Sequence, residues 1–313
     1  MKPRPILIDC DPGQDDAVML LLAFASPEEL DILGVTTVAG NVPLALTERN
    51  ARLMCELGRR ADVKVFAGCS RPMVRQLVTA EEVHGRTGID GFEIYDPTHP
   101  LQTQHGVDFI VETLMAAADD SITLVPTGPL TNIGAALVKE PRIASKIHEI
   151  VLMGGAMREG GNVTPSAEFN IYVDPHAADV VFRCGRPLVA AGLDLTHQAM
   201  STRERSQAIG GAGNEAGRVV QRMLEFYNRH DVAKYGTDGG PLHDPCTIAY
   251  LLRPGLFEGK LVNIEVETHS ELTIGETAVD FWGVTGKPPN ANWLHAIDAD
   301  GFFDLLVERI GRL

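Results

Sequence analysis

Four aspartates lie within eight residues near the start of the chain: Asp9, Asp11, Asp15 and Asp16. They follow the apolar run Ile6–Ile8, and the turn residues Pro12 and Gly13 separate the first pair from the second. Carboxylates this close together raise one another's pKa and strain the site unless a cation neutralises them. Oxygen ligands without histidine indicate a hard cation, so the cluster predicts a Ca²⁺ or Mg²⁺ site.

The second pair also has a purely structural interpretation. Asp15 and Asp16 could be ordinary acidic residues in the first turn of a helix, where they complement the helix dipole. Asp9 and Asp11 weigh against this interpretation, because carboxylates that replace apolar strand residues before a Pro-Gly turn are costly to bury. We therefore interpret the cluster as metal-binding.

The elements that position this cluster follow from an alternation of apolar, β-rich segments with helical patterns. Strands are predicted at Pro5–Asp11, Ile32–Ala39, Val63–Ala67, Ile122–Thr127, Glu149–Met153 and Pro187–Leu193. Helices are predicted at Asp16–Ala25, Leu44–Leu57, Gly106–Ala118, Leu130–Val138, Pro175–Arg183, Thr202–Ile209, Gly217–His230 and Phe302–Ile310. This order predicts a single-domain α/β fold over residues 1–313, with a doubly wound, mostly parallel sheet flanked by helices.

Polar and glycine residues gather where the predicted strands stop. These positions are Asp9, Asp11, Gly40, Asn41, Thr127, Gly154 and Asp194. Ligands of doubly wound sheets collect at the carboxyl ends of the strands, so this edge is predicted to carry the site. The glycine-rich segments His84–Gly91 and Gly236–Gly240 are predicted to be loops over it, since glycine relaxes the backbone and loops carry function.

The composition of the chain indicates which binding partners and which cellular compartment to expect. The 27 basic and 42 acidic residues give a formal net charge of −15, which disfavours nucleic acid as a partner. The five cysteines are scattered and never spaced as C-x-x-C, which argues against disulfides and zinc. The N-terminal apolar run is too short for a signal peptide, and no stretch approaches the roughly 20 apolar residues of a membrane span. We therefore predict a cytoplasmic protein without a membrane partner.

The segment Asp9-Cys-Asp-Pro-Gly-x-Asp-Asp-Ala17 resembles the N-terminal fingerprint of the inosine-uridine preferring nucleoside hydrolase family. Further segments resemble the site motifs of that family in the same order along the chain: Val38–Asn41, Pro126–Asn132, Met153–Gly155, Glu168–Asn170 and His243-Asp244. The resemblance spans essentially the whole chain. It implies hydrolysis of the N-glycosidic bond of ribonucleosides, a homo-oligomer that is a tetramer or a dimer, and a part in pyrimidine salvage.

The resemblance also implies roles for individual residues. Calcium is expected on Asp11, Asp16, the main-chain carbonyl of Thr127 and Asp244. Asp11 is the expected general base, which takes a proton from a water whose pKa the cation lowers. The expected substrate contacts around the ribose are Asp15, Asn41, Met153, Asn162, Glu168, Phe169, Asn170 and Asp244. An acidic pocket suits this chemistry, because the sugar develops positive charge as the bond breaks.

Residues around the leaving base are less completely specified. His243 and His84 are both candidate hydrogen-bond donors to the departing base, and Tyr227 and Tyr235 could stack on it or donate a hydroxyl. Asp231 departs from the aromatic or amide residue of relatives and leaves base selectivity open. The segments around His84 and His243 resemble the bacterial pyrimidine-specific members, so pyrimidine ribonucleosides are the expected substrates.

Two other functions fit parts of the pattern. A haloacid-dehalogenase-type phosphatase also ends its first strand with D-x-D, but it carries a Thr or Val turn where this chain has Pro12 and Gly13. A non-catalytic, calcium-dependent nucleoside- or sugar-binding protein would need the same ribose contacts without the base. The sequence has no glycine-rich phosphate loop, which favours nucleosides over nucleotides.

Overall fold

Twelve strands are present in the structure, a computed structural model that describes residues 2–313. The strands are β1 (Arg4–Cys10), β2 (Leu30–Thr37), β3 (Val65–Ala67), β4 (Leu101–Gln102), β5 (Ile122–Pro126), β6 (Ile147–Met153), β7 (Leu188–Ala191), β8 (Met200–Ser201), β9 (Gly240–Pro241), β10 (Phe257–Val266), β11 (Thr277–Asp280) and β12 (Ala291–Ile297).

Twelve α-helices connect these strands within the same residues. They are α1 (Gln14–Phe24), α2 (Leu44–Leu57), α3 (Glu81–His84), α4 (Gly106–Ala116), α5 (Thr131–Lys139), α6 (Phe169–Val173), α7 (Pro175–Phe182), α8 (Leu193–Thr196), α9 (Arg203–Gly210), α10 (Glu215–Tyr235), α11 (Pro245–Leu252) and α12 (Ala299–Ile310). No helix in this part of the chain is long and apolar enough to span a membrane.

Ten strands form one sheet in the order β11-β10-β12-β7-β6-β5-β1-β2-β3-β4. Neighbours from β4 to β12 all pair in parallel, and β10 alone runs antiparallel to its two neighbours. The chain moves from β1 to one side through β2 to β4 and then crosses to β5 on the other side. This reversal opens a crevice at the carboxyl ends of β1 and β5, the usual ligand position of a doubly wound sheet.

Helices cover both faces of the sheet, so the central strands are apolar on both sides. Alternate residues of β1 enter different cores: Ile6 and Ile8 pack with α1, α10, α11 and α12, and Leu7 packs with α4, α5 and α7. Every residue of α1 is buried, which explains why this helix is apolar on all sides beyond its acidic start. The predicted α/β class with a doubly wound, mostly parallel sheet is confirmed.

Each predicted strand and each predicted helix is present, with ends shifted by a few residues. The helix predicted to end at His230 continues to Tyr235, so Tyr235 ends a helix and does not lie in a turn. The predicted loop His84–Gly91 begins on the last residue of α3. The two-residue strands and the four- and five-residue helices were not predicted, because so few residues show no periodicity.

A partly buried ion pair joins α12 to the turn after α1. The guanidinium of Arg309 is 2% exposed, and its Nη1 and Nη2 donate to the two carboxylate oxygens of Glu29 at 2.5 and 2.7 Å. These hydrogen bonds lower the pKa of Glu29 below its usual value. The pair joins residues 280 positions apart in the sequence, so its loss should lower the free energy of unfolding of the whole chain.

We expect Glu29→Ala to lower the free energy of unfolding by about 2 kcal/mol at pH 7, between the values for exposed and buried pairs. The stabilisation is complete above the unfolded pKa of Glu29 and is lost as pH falls through its lower folded pKa. Urea denaturation across this pH range measures it, with Glu28→Ala as the exposed control. Equal losses for both variants would contradict the assignment.

Candidate active site

The crevice at the carboxyl ends of β1, β2 and β5 gathers the acidic fingerprint. Asp11 follows β1, Asn41 follows β2, and Thr127 follows β5. The N–H of Thr127 donates to the carbonyl of Asp9 at 2.8 Å, which extends the β1–β5 pairing to the edge of the site. The predicted active edge therefore contains side chains from three strands that are adjacent in the sheet.

Two carboxylates of the fingerprint are held by the residues that follow the neighbouring strands. Asp11 Oδ2 accepts the main-chain N–H of Asn41 at 2.7 Å, and Asp16 Oδ1 accepts the Thr127 hydroxyl at 2.7 Å. Asp16 Oδ2 accepts the N–H of Gly13 at 3.1 Å, which caps the start of α1. The other oxygen of Asp11, Oδ1, is buried and has no hydrogen-bond partner within residues 2–313.

Asp244, the residue before α11, completes the cluster although it is more than 200 residues from Asp16 in the sequence. One carboxylate oxygen from each of Asp15, Asp16 and Asp244 lies within 4.8 Å of the others, and all three residues are buried. Burial and the neighbouring aspartates raise the pKa of Asp11 and of Asp244 well above the usual range. Burial also raises the pKa of Asp15 to about 6 and that of Asp16 to about 7.

This cluster fits a hard cation. The strongest charges acting on Asp11 and Asp244 are those of the other aspartates, so the group lacks its own counter-charge. Asp11 Oδ1 and Asp15 Oδ1 are buried without a partner, and both are oxygen ligands of the type that Ca²⁺ and Mg²⁺ prefer. A divalent cation at this cluster would relieve the repulsion among the carboxylates.

Gly40 and Gly128 leave the space that the Asp11 side chain occupies in the site. A Cβ added to Gly40 would clash with Asp11 Oδ2, and one added to Gly128 would lie 2.5 Å from Asp11 Oδ1. The side chain of Asp11 therefore lies between two backbone segments that approach it closely. Only the position of these glycines directly after β2 and β5 pointed to them in the sequence.

Asp9 lies beneath the site and not in the acidic cluster. Its Oδ1 accepts the Thr36 hydroxyl at 2.5 Å and the Asn132 amide at 2.8 Å. Burial raises its pKa to about 7 although these hydrogen bonds act in the opposite direction. Asn132 also donates to the carbonyl of Thr37, so this network ties β1, β2 and the start of α5 together.

The segment Asn162–Asn170 forms another wall of the crevice. Glu168 is buried and caps α6: Oε1 accepts the N–H of Asn170, and Oε2 accepts those of Gly155 and Ile171. Burial raises the pKa of Glu168 to about 7. Glu168 is therefore enclosed in this wall and is not solvated.

The other residues predicted on this wall divide between the interior and the surface. The Asn170 amide donates to the carbonyls of Thr127 at 2.8 Å and Met153 at 3.3 Å. The Thr127 carbonyl keeps a second lone pair, which is free for a cation. Phe169 packs with a small apolar cluster, and Asn162 is exposed, with Oδ1 accepting the N–H of Phe169 at 2.9 Å.

The His84 ring packs against Gly13 of the fingerprint. Its ring is buried, Nδ1 is 2.9 Å from Gln14 Oε1, and the ring centroid is 5.6 Å from that of Tyr227. Burial lowers the pKa of His84 to about 3, so the ring is neutral. The sequence did not suggest Gln14, although it lies inside the fingerprint.

His243 and the second half of α10 lie on the remaining side. His243 Nδ1 is 2.7 Å from the Thr196 hydroxyl, and burial lowers the pKa of His243 to about 3. Tyr227 is buried, Asp231 is partly buried, and Tyr235 is 56% exposed at the end of α10. Tyr235 is therefore less enclosed than the other predicted base contacts.

Comparisons with known proteins agree along the full length of the chain. The family model for inosine-uridine preferring nucleoside hydrolase matches residues 6–304. A protein of Shewanella sp. (strain MR-7), the pyrimidine-specific ribonucleoside hydrolase RihA, is 47% identical over 308 residues. That match covers 98% of this chain and 96% of the relative.

Solved structures show the same agreement. The plant nucleoside hydrolase PpNRh1 matches with a TM-score of 0.91 and 31% identity, covering 98% of this chain and 99% of its own. The purine-preferring ribonucleoside hydrolase of Gardnerella vaginalis matches with a TM-score of 0.90 and 32% identity, covering 98% of each chain. These matches decide against the phosphatase and the non-catalytic binding protein. The chain belongs to the inosine-uridine preferring nucleoside hydrolase family and is a hydrolase that acts on N-glycosyl compounds.

Proposed function

We propose that this chain hydrolyses pyrimidine ribonucleosides to ribose and free base, with Asp11 as general base and Ca²⁺ as cofactor. The observation that carries the proposal is Asp11 Oδ1, a buried carboxylate oxygen without a protein partner, beside the cluster of Asp15, Asp16 and Asp244. A carboxylate so arranged has a free lone pair for a proton and a charge that needs a cation.

Asp11 is proposed to take the proton of the attacking water. Its Oδ2 is fixed by the N–H of Asn41, and the close backbones at Gly40 and Gly128 limit its rotation, so Oδ1 is held in one direction. A positioned general base accelerates a reaction by a factor of about 10²–10⁴. When bound, Ca²⁺ supplies positive charge that lowers the pKa of water and neutralises the carboxylates.

The ribose is proposed to contact Asp15, Asn41, Met153, Asn162, Glu168, Phe169, Asn170 and Asp244. Asp15 offers the clearest contact, because its Oδ1 is buried and has no partner within residues 2–313. Glu168 and Asn170 use most of their hydrogen-bonding capacity on the backbone, so they also hold the pocket wall in place. The acidic surroundings stabilise positive charge that develops on the ribose ring.

The departing base is proposed to receive a hydrogen bond from His243. If the Thr196 hydroxyl donates to Nδ1, the neutral ring carries its proton on Nε2, where it can be donated to the base. Tyr227 and the partly buried Asp231 supply further polar contacts on the same side.

The preference for pyrimidines is supported by the relatives. The Shewanella enzyme named as pyrimidine-specific is 47% identical, and the Gardnerella enzyme named as purine-preferring is 32% identical. We expect kcat/KM for uridine or cytidine to exceed that for inosine and adenosine by at least about tenfold, which corresponds to about 1.4 kcal/mol. Release of free base from the four nucleosides at saturating Ca²⁺ measures it. A tenfold advantage for either purine would overturn the base assignment and leave the hydrolase assignment intact.

Calcium binding is tested separately from turnover. Protein stripped by a chelator should unfold at a higher temperature when Ca²⁺ is restored, because a ligand at 100 times its Kd stabilises by about 2.7 kcal/mol. We expect a smaller shift with Mg²⁺, which demands stricter octahedral geometry. Asp16→Asn should lose most of the Ca²⁺ shift. An equal shift in this variant, or a larger one with Mg²⁺, would contradict the calcium site.

Assembly and location are also part of the proposal. A homo-oligomer, dimer or tetramer, would cover exposed apolar side chains such as Leu261, Leu272, Trp282 and Val284. Analytical ultracentrifugation measures the assembly, and fractionation of cells tests the proposed cytoplasmic location and a role in pyrimidine salvage.

A further inference from the structure

Gln14 makes three hydrogen bonds around His84. Its Nε2 donates to the main-chain carbonyls of His84 at 2.9 Å and of Asp90 at 3.2 Å. Its Oε1 lies 2.9 Å from Nδ1 of the His84 ring. Gln14 is fully buried at the start of α1, so these contacts are shielded from competing water.

These contacts allow one orientation of the amide and one tautomer of the ring. Both carbonyls are acceptors only, so the nitrogen of the Gln14 amide must face them and its oxygen must face His84. An amide oxygen cannot donate, and the hydrogen bond therefore requires a proton on Nδ1 of His84. Burial lowers the pKa of His84 to about 3, so the ring carries no second proton at neutral pH.

We propose that Gln14 is a positioning residue that fixes the Nδ1–H tautomer of His84, so that His84 Nε2 acts as a hydrogen-bond acceptor toward the substrate. Nε2 of His84 has no hydrogen-bond partner within residues 2–313. It is also absent from the fully buried polar atoms without a partner, so part of its surface is accessible. The donor it accepts from is a hydroxyl or ring N–H of the nucleoside.

The position of the ring limits which part of the nucleoside it can reach. A Cβ on Gly13 would clash with Nδ1 of His84, so the ring lies directly on the fingerprint turn. The Tyr227 ring lies on its other side. His84 thus lies between the fingerprint, which carries the proposed ribose contact Asp15, and the proposed base contact Tyr227, so we test a 5′-hydroxyl and a base N–H as the donor. This inference rests on the proposed function, and it leaves His243 as the candidate donor to the departing base.

The tautomer is tested without turnover. Long-range ¹H–¹⁵N correlation spectra of the protein labelled with ¹⁵N in its histidines distinguish a protonated from an unprotonated ring nitrogen, and His84→Gln identifies the His84 signals. We expect a protonated Nδ1 and an unprotonated Nε2 at neutral pH. Wild-type protein with the proton on Nε2, or on both nitrogens, would overturn the proposal even if every variant failed to fold.

Gln14→Leu should release this constraint and allow the Nε2–H tautomer to appear. Gln198→Leu is the matched control, because Gln198 Nε2 also bridges two carbonyls, those of Asp194 and His295, but lies exposed without a contact of this kind to a histidine ring. The control should keep the wild-type His84 signals. An unchanged tautomer in folded Gln14→Leu would show that Gln14 does not fix it.

Two analogues identify the donor and test the acceptor role. 5′-Deoxyuridine lacks the hydroxyl, and 3-methyluridine lacks the base N–H. Loss of one hydrogen bond should lower kcat/KM of one analogue about tenfold relative to uridine in the wild type, and by less in Gln14→Leu. Equal values for all three substrates in the wild type would overturn the acceptor role. Absence of any nucleoside hydrolysis would instead refute the proposed function and leave the tautomer measurement standing.

Discussion

Replacement of Asp11 by asparagine is expected to lower kcat by a factor of about 10²–10⁴, which is the contribution of a positioned general base. An amide cannot take the proton, but its oxygen can still accept the N–H of Asn41 as Asp11 Oδ2 does. The substitution removes one of several buried carboxylates that repel each other, so the metal-free variant should fold at least as well as the wild type. Single-turnover base release and thermal unfolding measure the two effects.

Asp174→Asn provides the matched control for Asp11→Asn. Asp174 is also fully buried and accepts hydrogen bonds from Met73, Thr131 and Ala177, but it is not part of the acidic cluster. Activity per folded molecule should stay close to wild type in this control. Near-normal turnover in folded Asp11→Asn would refute the mechanism, because no other group has been proposed to take the proton.

Loss of the 2′-hydroxyl of the substrate is expected to have the second largest effect. The proposed ribose pocket holds a buried, unpartnered oxygen of Asp15 among carboxylates whose pKa is raised by burial. A site built to hydrogen-bond a hydroxyl rejects the analogue that lacks it by about 10⁴, since its buried polar groups stay unpaired. We therefore expect kcat/KM for 2′-deoxyuridine to be lower than that for uridine by a factor of this order.

Combining the Asp15→Ala substitution with the change of substrate tests whether Asp15 causes this discrimination. Asp15→Ala should slow uridine far more than 2′-deoxyuridine, because the variant has no oxygen left to pair with the hydroxyl. Equal kcat/KM values for the two substrates in the wild type would show that the ribose pocket is misplaced. If Asp15→Ala discriminates between the two substrates as strongly as the wild type, the contact to the 2′-hydroxyl belongs to another residue.

The local pattern of the sequence determined the elements and the nature of the chemistry. Apolar runs that stop at a carboxylate identified β1 and the edge that carries the site, since burial on both faces requires such runs. Four aspartates around a Pro-Gly turn indicated a cation from their spacing along the chain, although Asp9 lies outside the acidic cluster of the folded chain. These conclusions need only neighbours in sequence.

Tertiary structure alone decided which distant residues meet. The family resemblance already placed Asp16 and Asp244 on one cation, but only the packing of α11 on α1 shows that Asp15 lies with them. The clashes that force glycine at positions 40 and 128 exist only once β2 and β5 lie on either side of β1. The tautomer of His84 likewise depends on an amide 70 residues away. Such contacts follow from the order of strands in the sheet and the packing of helices on it, which a single sequence read residue by residue does not contain.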